Sequence, residues 1–288
     1  MGRTYDTVSL LTDYGLDDEF VGVVKAVLRD LAPHVTTIDL THGVRPYDVR
    51  GGSLALARAI SYVPEGVVLA VVDPGVGTAR KAIAVEVAGG AGVLVGPDNG
   101  LLAPAVAIAG GAERAVELSD PAFHLDGARV TFAGRDVFAP VAAHLCNGVD
   151  LAELGPLVDT TLLMPGMVAL PREEDDGIHA EVLWVDRFGN CQLNIGPDDL
   201  TAGVDVWGLT IDGERRVARL ARTFADLATG SIGLVVDSQG MFAVVLDQQS
   251  AAAELRLAAG DAVVVQAIGD DDTPPPAPVT TPIELRRH

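Results

Sequence analysis

Hydrophobic positions in the first half of the chain alternate between short β-branched runs and longer segments with helical spacing. Runs such as Val8 to Thr12 and Val67 to Val72 are largely apolar, and the segments between them show the apolar periodicity of amphipathic helices. This alternation is typical of βαβ units around a largely parallel sheet. Strands are predicted at 8–12, 35–40, 67–72, 82–87 and 92–95, a hairpin turn at Gly89-Gly90, and helices at 19–31, 49–63 and 136–147.

The pattern changes in the second half of the chain. Strand-like runs separated by glycine, with little helical spacing, recur at 179–185, 191–195, 204–211, 231–237, 241–246 and 261–266. Such a pattern predicts an all-β, barrel-like domain. We therefore predict an α/β domain over residues 1–165, a linker at 163–176, a β domain over 166–269 and a disordered tail at 270–288, which is acidic and rich in proline.

The charge of the chain narrows the partners that it is expected to bind. Lysine and arginine number 20 and aspartate and glutamate 40, which gives a formal net charge of −20. A field of this sign repels nucleic acid and anionic membrane surfaces, so neither is an expected partner. The sequence shows no leader pattern and no apolar stretch of membrane-spanning length, so we expect a cytoplasmic protein.

The cysteines and histidines do not suggest a metal site. Cys146 and Cys191 lack metal-ligand spacing and fall on a predicted helix and a predicted strand, so both are interpreted as small core residues in a reducing compartment. The histidines show no His-x-x-x-His pattern, and His144 lies inside a predicted apolar helix. No metal is therefore expected.

One stretch combines an acid, a rigid turn and a base. Asp73 follows an apolar strand, and the chain then turns through Pro74, Gly75 and Gly77 before Arg80. Open α/β sheets build ligand crevices at the carboxyl ends of their strands, so this stretch favours a small-molecule enzyme. The alternative is a structural ion pair that closes a tight turn.

Two further stretches carry groups suited to a nucleoside. Asp13 lies at the end of the first strand before a glycine, where a carboxylate accepts hydrogen bonds from a ribose diol, whereas Asp17 and Asp18 are interpreted as helix-capping acids. In the β domain, an amide such as that of Asn190 reads an adenine edge when an aromatic ring, here Phe188 or Phe224, supplies a stacking face. A hairpin with polar turn residues is the alternative there.

Together these motifs resemble the family of S-adenosylmethionine hydroxide adenosyltransferases, which is related to the fluorinases and chlorinases. The match runs over nearly the whole chain, and the order and spacing of the motifs are more specific than any single one. They are Leu11-Thr-Asp-Tyr-Gly, Val72-Asp-Pro-Gly-Val-Gly-Thr-Ala-Arg, Gly96-Pro-Asp-Asn-Gly-Leu-Leu, Phe132-Ala-Gly-Arg-Asp, Asp186-Arg-Phe-Gly-Asn and Asp237-Ser-Gln-Gly.

The resemblance implies a fold, an assembly and a set of contacts. It implies an N-terminal α/β domain, a C-terminal barrel-like domain and a homotrimer whose sites lie between neighbouring subunits, with S-adenosylmethionine as substrate and no cofactor. Asp13 would hold the ribose hydroxyls, and Tyr47 would stand near the ribose and the sulfonium. The adenine contacts would be Asn190, Phe188, Phe224 and Gln248, the methionine contacts Asp186 and Ser238, and further substrate contacts Phe132 and Gly134.

The implied reaction is the displacement of methionine from C5′ by water or hydroxide, which leaves adenosine. Asp73 would orient the water and Arg80 would supply a fixed positive charge. Halogenating relatives carry tyrosine or another non-acid at the position of Asp73, since a carboxylate beside a halide repels it. Asp73 therefore favours water as the nucleophile.

One position departs from this family's pattern. Hydroxide-forming relatives carry histidine before Gly-Arg-Asp, and here the residue is Ala133. This fits either a natural variant of altered activity or a deliberate replacement that yields an inactive complex. A second departure is Asp247-Gln-Gln-Ser, which weakens the assignment of Gln248 as an adenine contact.

The alternatives to a hydrolase are a chlorinase-type halogenase and a catalytically silent nucleoside-binding protein.

Overall fold

The computed structural model describes residues 2–127 and 131–268, and the chain divides into two compact units. These units are Met1–Val168 and Ala169–His288. The tail predicted at 270–288 lies outside the described residues.

The first unit is built on a seven-stranded mixed sheet flanked by helices, with strand order β2-β1-β3-β5-β4-β6-β7. Neighbouring strands among β2, β1, β3 and β5 are parallel, and β4, β6 and β7 extend the sheet in antiparallel fashion. The α/β architecture predicted for this half is confirmed. The elements are β1 (Thr7–Thr12), α1 (Phe20–Leu31), β2 (Thr36–Thr41), α2 (Val49–Ile60), β3 (Gly66–Val71), β4 (Ala82–Val87), β5 (Gly92–Pro97), α3 (Ala103–Ile108), β6 (Arg114–Glu117), α4 (Ala139–Cys146) and β7 (Leu157–Val158).

Apolar side chains project from both faces of this sheet, so the sheet is buried on both sides. Leu10 packs into one core cluster with Leu28 of α1, and the next residue, Leu11, packs into a second cluster with Leu56 of α2. Successive side chains of a strand point to opposite faces, which explains the division. Strand β3 is buried along its whole length, as expected of a central parallel strand. Polar groups of this sheet therefore collect at the strand ends.

The second unit is a closed β-barrel, as predicted. Its strands follow the order β10-β14-β13-β12-β11-β15-β9, and pairing of β9 with β10 closes the ring, with β8 attached to β9 outside it. The elements are β8 (Arg172–Glu174), β9 (Gly177–Val185), β10 (Cys191–Leu193), β11 (Val206–Ile211), β12 (Glu214–Ala221), β13 (Ile232–Val236), β14 (Phe242–Leu246), α5 (Ala251–Leu255) and β15 (Ala262–Ala267).

Four strands, β6, β7, β8 and β12, were absent from the sequence-based prediction, and β8 and β12 show why. Strand β8 lies within the predicted linker 163–176, where its three exposed charged residues pair with β9 as one arm of a hairpin. Strand β12 begins with Glu214, Arg215 and Arg216 and was not predicted. In both strands charged side chains obscure the apolar alternation, and the pairing with a neighbouring strand determines the structure.

The two cysteines lie where the pattern predicted them. Cys146 on α4 and Cys191 on β10 are buried free thiols, and burial raises the pKa of each to about 12. Both are therefore unreactive core residues. Among the described residues, no helix has the length and apolar character needed to cross a membrane.

Candidate active site

Asp73 and Arg80 form a buried, bidentate ion pair just beyond the carboxyl end of β3. The Arg80 Nε donates to Asp73 Oδ1 at 3.0 Å, and its terminal NH2 group donates to Oδ2. The side chains are only 12% and 6% exposed for arginine and aspartate. The turn between them is closed by hydrogen bonds from the Thr78 N–H and hydroxyl to the Gly75 carbonyl, at 3.1 and 2.6 Å.

Burial raises the pKa of Asp73 above its ordinary value, because lost hydration outweighs the opposing effects of the Arg80 charge and its hydrogen bond. A hydrogen bond from the Gly75 backbone also opposes the shift, and the nearby charge of Asp13 adds to it. The carboxylate is therefore more basic than an exposed aspartate and remains tied to a fixed cation. This combination suits a group that accepts a hydrogen bond or a proton.

Asp13 lies after β1, the strand next to β3, so the two acids share one edge of the parallel sheet. Its backbone N–H contacts the Val71 carbonyl at 3.4 Å, which holds the ends of β1 and β3 together. Asp13 Oδ2 accepts a hydrogen bond from the backbone N–H of Tyr47 at 2.9 Å. Tyr47 is 74% exposed and has a positive φ of 69°, an uncommon conformation for a residue other than glycine.

A chain of hydrogen bonds that sequence analysis missed supports the loop that carries Asp13. Lys25 Nζ contacts Asp39 Oδ2 at 2.6 Å, and Asp39 Oδ1 lies 3.1 Å from Nε2 of the buried His42. The His42 Nδ1 lies 2.8 Å from Thr12 Oγ1. Burial alone would raise the pKa of Asp39, but the hydrogen bonds and charges of Lys25 and His42 lower it overall.

His42 showed no pattern signal because its partners are distant in sequence. Thr12 precedes it by 30 residues, and its contact with Asp39 looks like an ordinary three-residue spacing. Its backbone carbonyl also accepts from the Gly15 N–H at 2.9 Å. His42 therefore connects β2 to both sides of the Asp13-Tyr14 segment.

An aromatic cluster borders the two acids. The rings of Tyr14 and Phe132 lie 5.7 Å apart between centroids, and Phe20 lies 5.8 Å from Tyr14 and 5.2 Å from Phe132. The Arg80 guanidinium lies over the ring of the buried Phe138, 5.6 Å from its centroid. Tertiary structure thus brings the Phe132-Ala-Gly-Arg-Asp motif beside the Asp73-Arg80 pair.

Ala133 immediately precedes a π-helical turn, Gly134–Phe138, that leads into α4. π-Helical turns are rare and frequently occur at functional sites. Gly134 is buried, and a Cβ atom at its position would lie only 2.1 Å from the Tyr14 hydroxyl oxygen. The close approach of Tyr14 therefore requires glycine here.

Asn99, which belongs to the Gly96-Pro-Asp-Asn-Gly-Leu-Leu motif, holds the end of β3. Its Nδ2 donates to the Val72 carbonyl at 2.9 Å, and its Oδ1 accepts from the Leu101 N–H at 3.1 Å. The amide thus links the loop after β5 to the residue that precedes Asp73.

In the barrel unit, Asp186 and Asn190 close the loop between β9 and β10. Asp186 Oδ1 accepts from the backbone N–H groups of Phe188 and Asn190 at 2.9 and 2.8 Å, and Oδ2 accepts from Asn190 Nδ2 at 2.7 Å. Asp186 is the predicted contact of the methionine portion of the substrate, and both of its carboxylate oxygens accept hydrogen bonds that shape this loop. Phe188 at its tip is 77% exposed.

The other predicted contacts of this unit lie at different places around β14. Ser238 is exposed in the turn before the strand, and Gln248 follows the strand with a positive φ of 54°. Gln248 lies two residues from Ser250, which packs against Gly189 of the Asp186 loop. Phe224 is 47% exposed on a short turn after β12. The structure groups Asp186, Phe188 and Asn190, and it leaves Phe224 and Ser238 outside that loop.

Among the described residues, one group of side chains places its possible metal-ligand atoms close enough together to hold an ion. Glu174, Asp176 and His179 lie together on the β8–β9 hairpin, with Asp176 2.7 Å from the imidazole Nε2. Exposed acids often cluster in this way, and this hairpin belongs to the barrel unit.

Acids at the carboxyl edge of a parallel sheet, beside a buried arginine and an aromatic cluster, define an α/β protein with a small-ligand site. Family models place the chain more narrowly. The SAM hydroxide adenosyltransferase N-terminal domain matches residues 8–155, and the C-terminal domain of the same family matches residues 180–264. The chain belongs to the SAM hydroxide adenosyltransferase family.

Relatives and solved structures agree with this assignment. The chain is 47% identical over 260 residues to (R)-S-adenosyl-L-methionine hydrolase of Salinispora tropica, covering 90% of this chain and 97% of the relative. A fluorinase of Nocardia brasiliensis is 29% identical over 296 residues, covering 90% and 96%. A conserved uncharacterized protein of Thermotoga maritima has a similar structure, with a TM-score of 0.82, 33% identity and coverage of 90% and 99%.

Removal of the Arg80 charge tests the electrostatics of the ion pair. Arg80→Gln should lower the free energy of unfolding at neutral pH by about 3–5 kcal/mol, because it leaves a buried carboxylate unpaired. The folded pKa of Asp73 is already raised and should rise further in this variant, so its folded state takes up a proton more readily than the unfolded chain. The stability deficit relative to the parent should therefore shrink as the pH falls.

Urea unfolding at several pH values between neutrality and mild acid measures this deficit, with Arg80→Lys as the control that keeps the charge. A deficit that stays constant or grows on acidification contradicts the assignment.

Proposed function

We propose that the chain hydrolyses S-adenosyl-L-methionine to adenosine and L-methionine. The observation that carries the proposal is the buried Asp73–Arg80 pair, at the same sheet edge as Asp13 and in a family whose relatives are named hydrolases. The names of those relatives specify the R configuration at sulfur, so the R and S epimers of the substrate are to be assayed separately.

The enzyme needs to align the water with C5′ more than to activate the substrate, because the sulfonium already makes methionine a good leaving group. Water attacks C5′ opposite the sulfur, the C5′–O bond forms, and the C5′–S bond breaks with its electron pair passing to neutral methionine. The water must lose one proton, and the raised pKa of Asp73 makes its carboxylate a suitable acceptor. We assign to Arg80 the role of holding that carboxylate in place.

The same carboxylate disfavours a halide as nucleophile. A chloride or fluoride next to Asp73 would experience like-charge repulsion in a site shielded from water. Hydrolysis is therefore preferred to the halogenase alternative, even though fluorinases are among the relatives. A silent nucleoside-binding protein is the third candidate, and Ala133 is the feature that favours it.

In the proposed binding mode, each unit contributes part of the contact set. Asp13 holds the ribose, and Tyr47, Phe132 and Gly134 border the sulfonium end. Asn190, Phe188, Phe224 and Gln248 contact adenine, and Asp186 and Ser238 contact the methionine portion. No cofactor enters this scheme, since the leaving group is part of the substrate.

We further propose that the protein is a homotrimer in which the first unit of one subunit and the second unit of its neighbour complete each site. Leu162, Met167 and Leu170 are 73%, 76% and 81% exposed in the single chain, and we propose that they are covered in the subunit contact. Cyclic symmetry closes such a contact after a fixed number of subunits.

The mass of the active species tests this assembly. Light scattering coupled to size-exclusion chromatography should give three times the chain mass at concentrations where adenosine forms. An active species with the mass of a single chain contradicts the proposal.

The assignment of Asp13 predicts a selective loss of nucleoside binding. Asp13→Ala should weaken adenosine binding by about 1–3 kcal/mol, because the ribose hydroxyls lose a charged acceptor. Asp17→Ala, which removes an acid of the same loop, is the matched control and should change binding far less. Calorimetric titration with adenosine measures both. Equal losses would mean that the wrong acid has been assigned.

Because Ala133 carries no proton-accepting group, we expect turnover of the parent to be slow. Asp73 and Arg80 orient a water, but an imidazole at position 133 would add a proton acceptor suited to neutral pH, a contribution of about 10²–10⁴-fold. Ala133→His should therefore raise the single-turnover rate of adenosine formation within that range while substrate affinity changes little.

Ala107→His, on the exposed side of α3, controls for adding a histidine at a remote position. An unchanged rate in Ala133→His would refute the proton-acceptor role. A chlorinated nucleoside formed in abundant chloride would instead identify a halogenase.

A further inference from the structure

The Tyr14 hydroxyl is a polar group of the site that the proposed roles above do not use. The ring packs edge-on against Phe132 and lies in the first core cluster, while the hydroxyl oxygen reaches the buried Gly134. Tyr14 is half-buried, and among the described residues its hydroxyl makes no hydrogen bond, so this group is free to bind a water.

Two carboxylates act on this hydroxyl. Burial raises the pKa of Tyr14, and the charges of Asp13 and Asp73 raise it further, in that order. The phenol is therefore neutral at physiological pH, with one O–H donor and two acceptor lone pairs available. Tyr14 directly follows Asp13, whose backbone N–H contacts the Val71 carbonyl at 3.4 Å, so the end of β1 that carries Tyr14 adjoins the end of β3 that carries Asp73.

The backbone that carries Tyr14 is held on both sides. The Tyr14 N–H donates to Thr12 Oγ1 at 3.2 Å, and the next residue, Gly15, donates to the His42 carbonyl at 2.9 Å. The Phe20 and Phe132 rings fix the side chain laterally. The hydroxyl is therefore presented in one direction, as a binding group requires.

We propose, on the basis of the hydrolytic function above, that the Tyr14 hydroxyl and Asp73 together bind the attacking water. The water donates one hydrogen to the Asp73 carboxylate and the other to the Tyr14 oxygen, which directs its lone pair away from both toward C5′. As the C5′–O bond forms, the C5′–S bonding pair moves to sulfur and the proton nearest Asp73 transfers to that carboxylate. It then leaves to solvent, which restores the ion pair with Arg80.

Two variants remove this contact in different ways. Tyr14→Phe deletes only the hydroxyl and keeps the ring packing. Gly134→Ala leaves Tyr14 intact but adds a Cβ whose three nearest neighbours are all atoms of the Tyr14 side chain, so the hydroxyl must move. Tyr62→Phe is the matched control, because Tyr62 is 78% exposed after α2 and lies outside the site.

Steady-state and single-turnover assays of the parent and the three variants, with adenosine quantified by chromatography, test the proposal. Tyr14→Phe should lower kcat by about 10- to 100-fold with KM and adenosine affinity unchanged, which is the pattern of a contact made only with the nucleophile. Gly134→Ala should also lower kcat, and only its kcat is compared because Gly134 is itself assigned as a substrate contact. Tyr62→Phe should match the parent.

A kcat of Tyr14→Phe within twofold of the parent overturns the proposal. A loss of kcat accompanied by an equal loss of adenosine affinity or a lowered melting temperature also overturns it, because that outcome indicates a packing role. If the parent binds adenosine but forms none from either epimer of S-adenosylmethionine, the proposed function fails and this inference fails with it.

Discussion

The candidate site depends on the cost of burying a carboxylate. Asp73 is 6% exposed, and burial raises its pKa despite the bidentate Arg80. Removing one partner of such a pair typically costs about 3–5 kcal/mol, so the turn that joins them must keep both in place. The surrounding features serve this requirement: Asn99 holds the strand end before Asp73, Phe138 supports the guanidinium, and the glycines of the turn let the chain reverse within seven residues.

The same edge of the sheet carries a second support. The chain of contacts from Lys25 through Asp39 and His42 to Thr12 joins α1 and β2 to the end of β1. Because Asp13 and Tyr14 directly follow Thr12, and the Tyr14 N–H donates to Thr12 Oγ1, this chain supports the backbone that carries both side chains. Parallel strands end at one edge of a sheet, so Asp13 after β1 and Asp73 after β3 become neighbours through topology alone.

The sequence could predict those site residues that follow a recognisable apolar strand. Asp13 and Asp73 end apolar strands, and both were correctly placed because strand ends are visible in a single sequence. His42 and Tyr14 were not recognised, since their partners Thr12 and Gly134 are remote in sequence and neither pair has a characteristic spacing. Strands β8 and β12 were missed because their charged residues are stabilised by neighbouring strands. The roles assigned to Asp186 and Ser238 stay predictions, although the Asp186 carboxylate clearly shapes its own loop.

The central claim is that water attacks C5′ of the substrate, and isotope labelling tests it most directly. Incubation with each epimer of S-adenosylmethionine in ¹⁸O-labelled water, followed by mass spectrometry, follows the oxygen that enters the product. The account predicts adenosine with one ¹⁸O at its 5′ hydroxyl and methionine without label from the C–S cleavage. Unlabelled adenosine, methylthioadenosine, or a halogenated nucleoside in the presence of halide would contradict it.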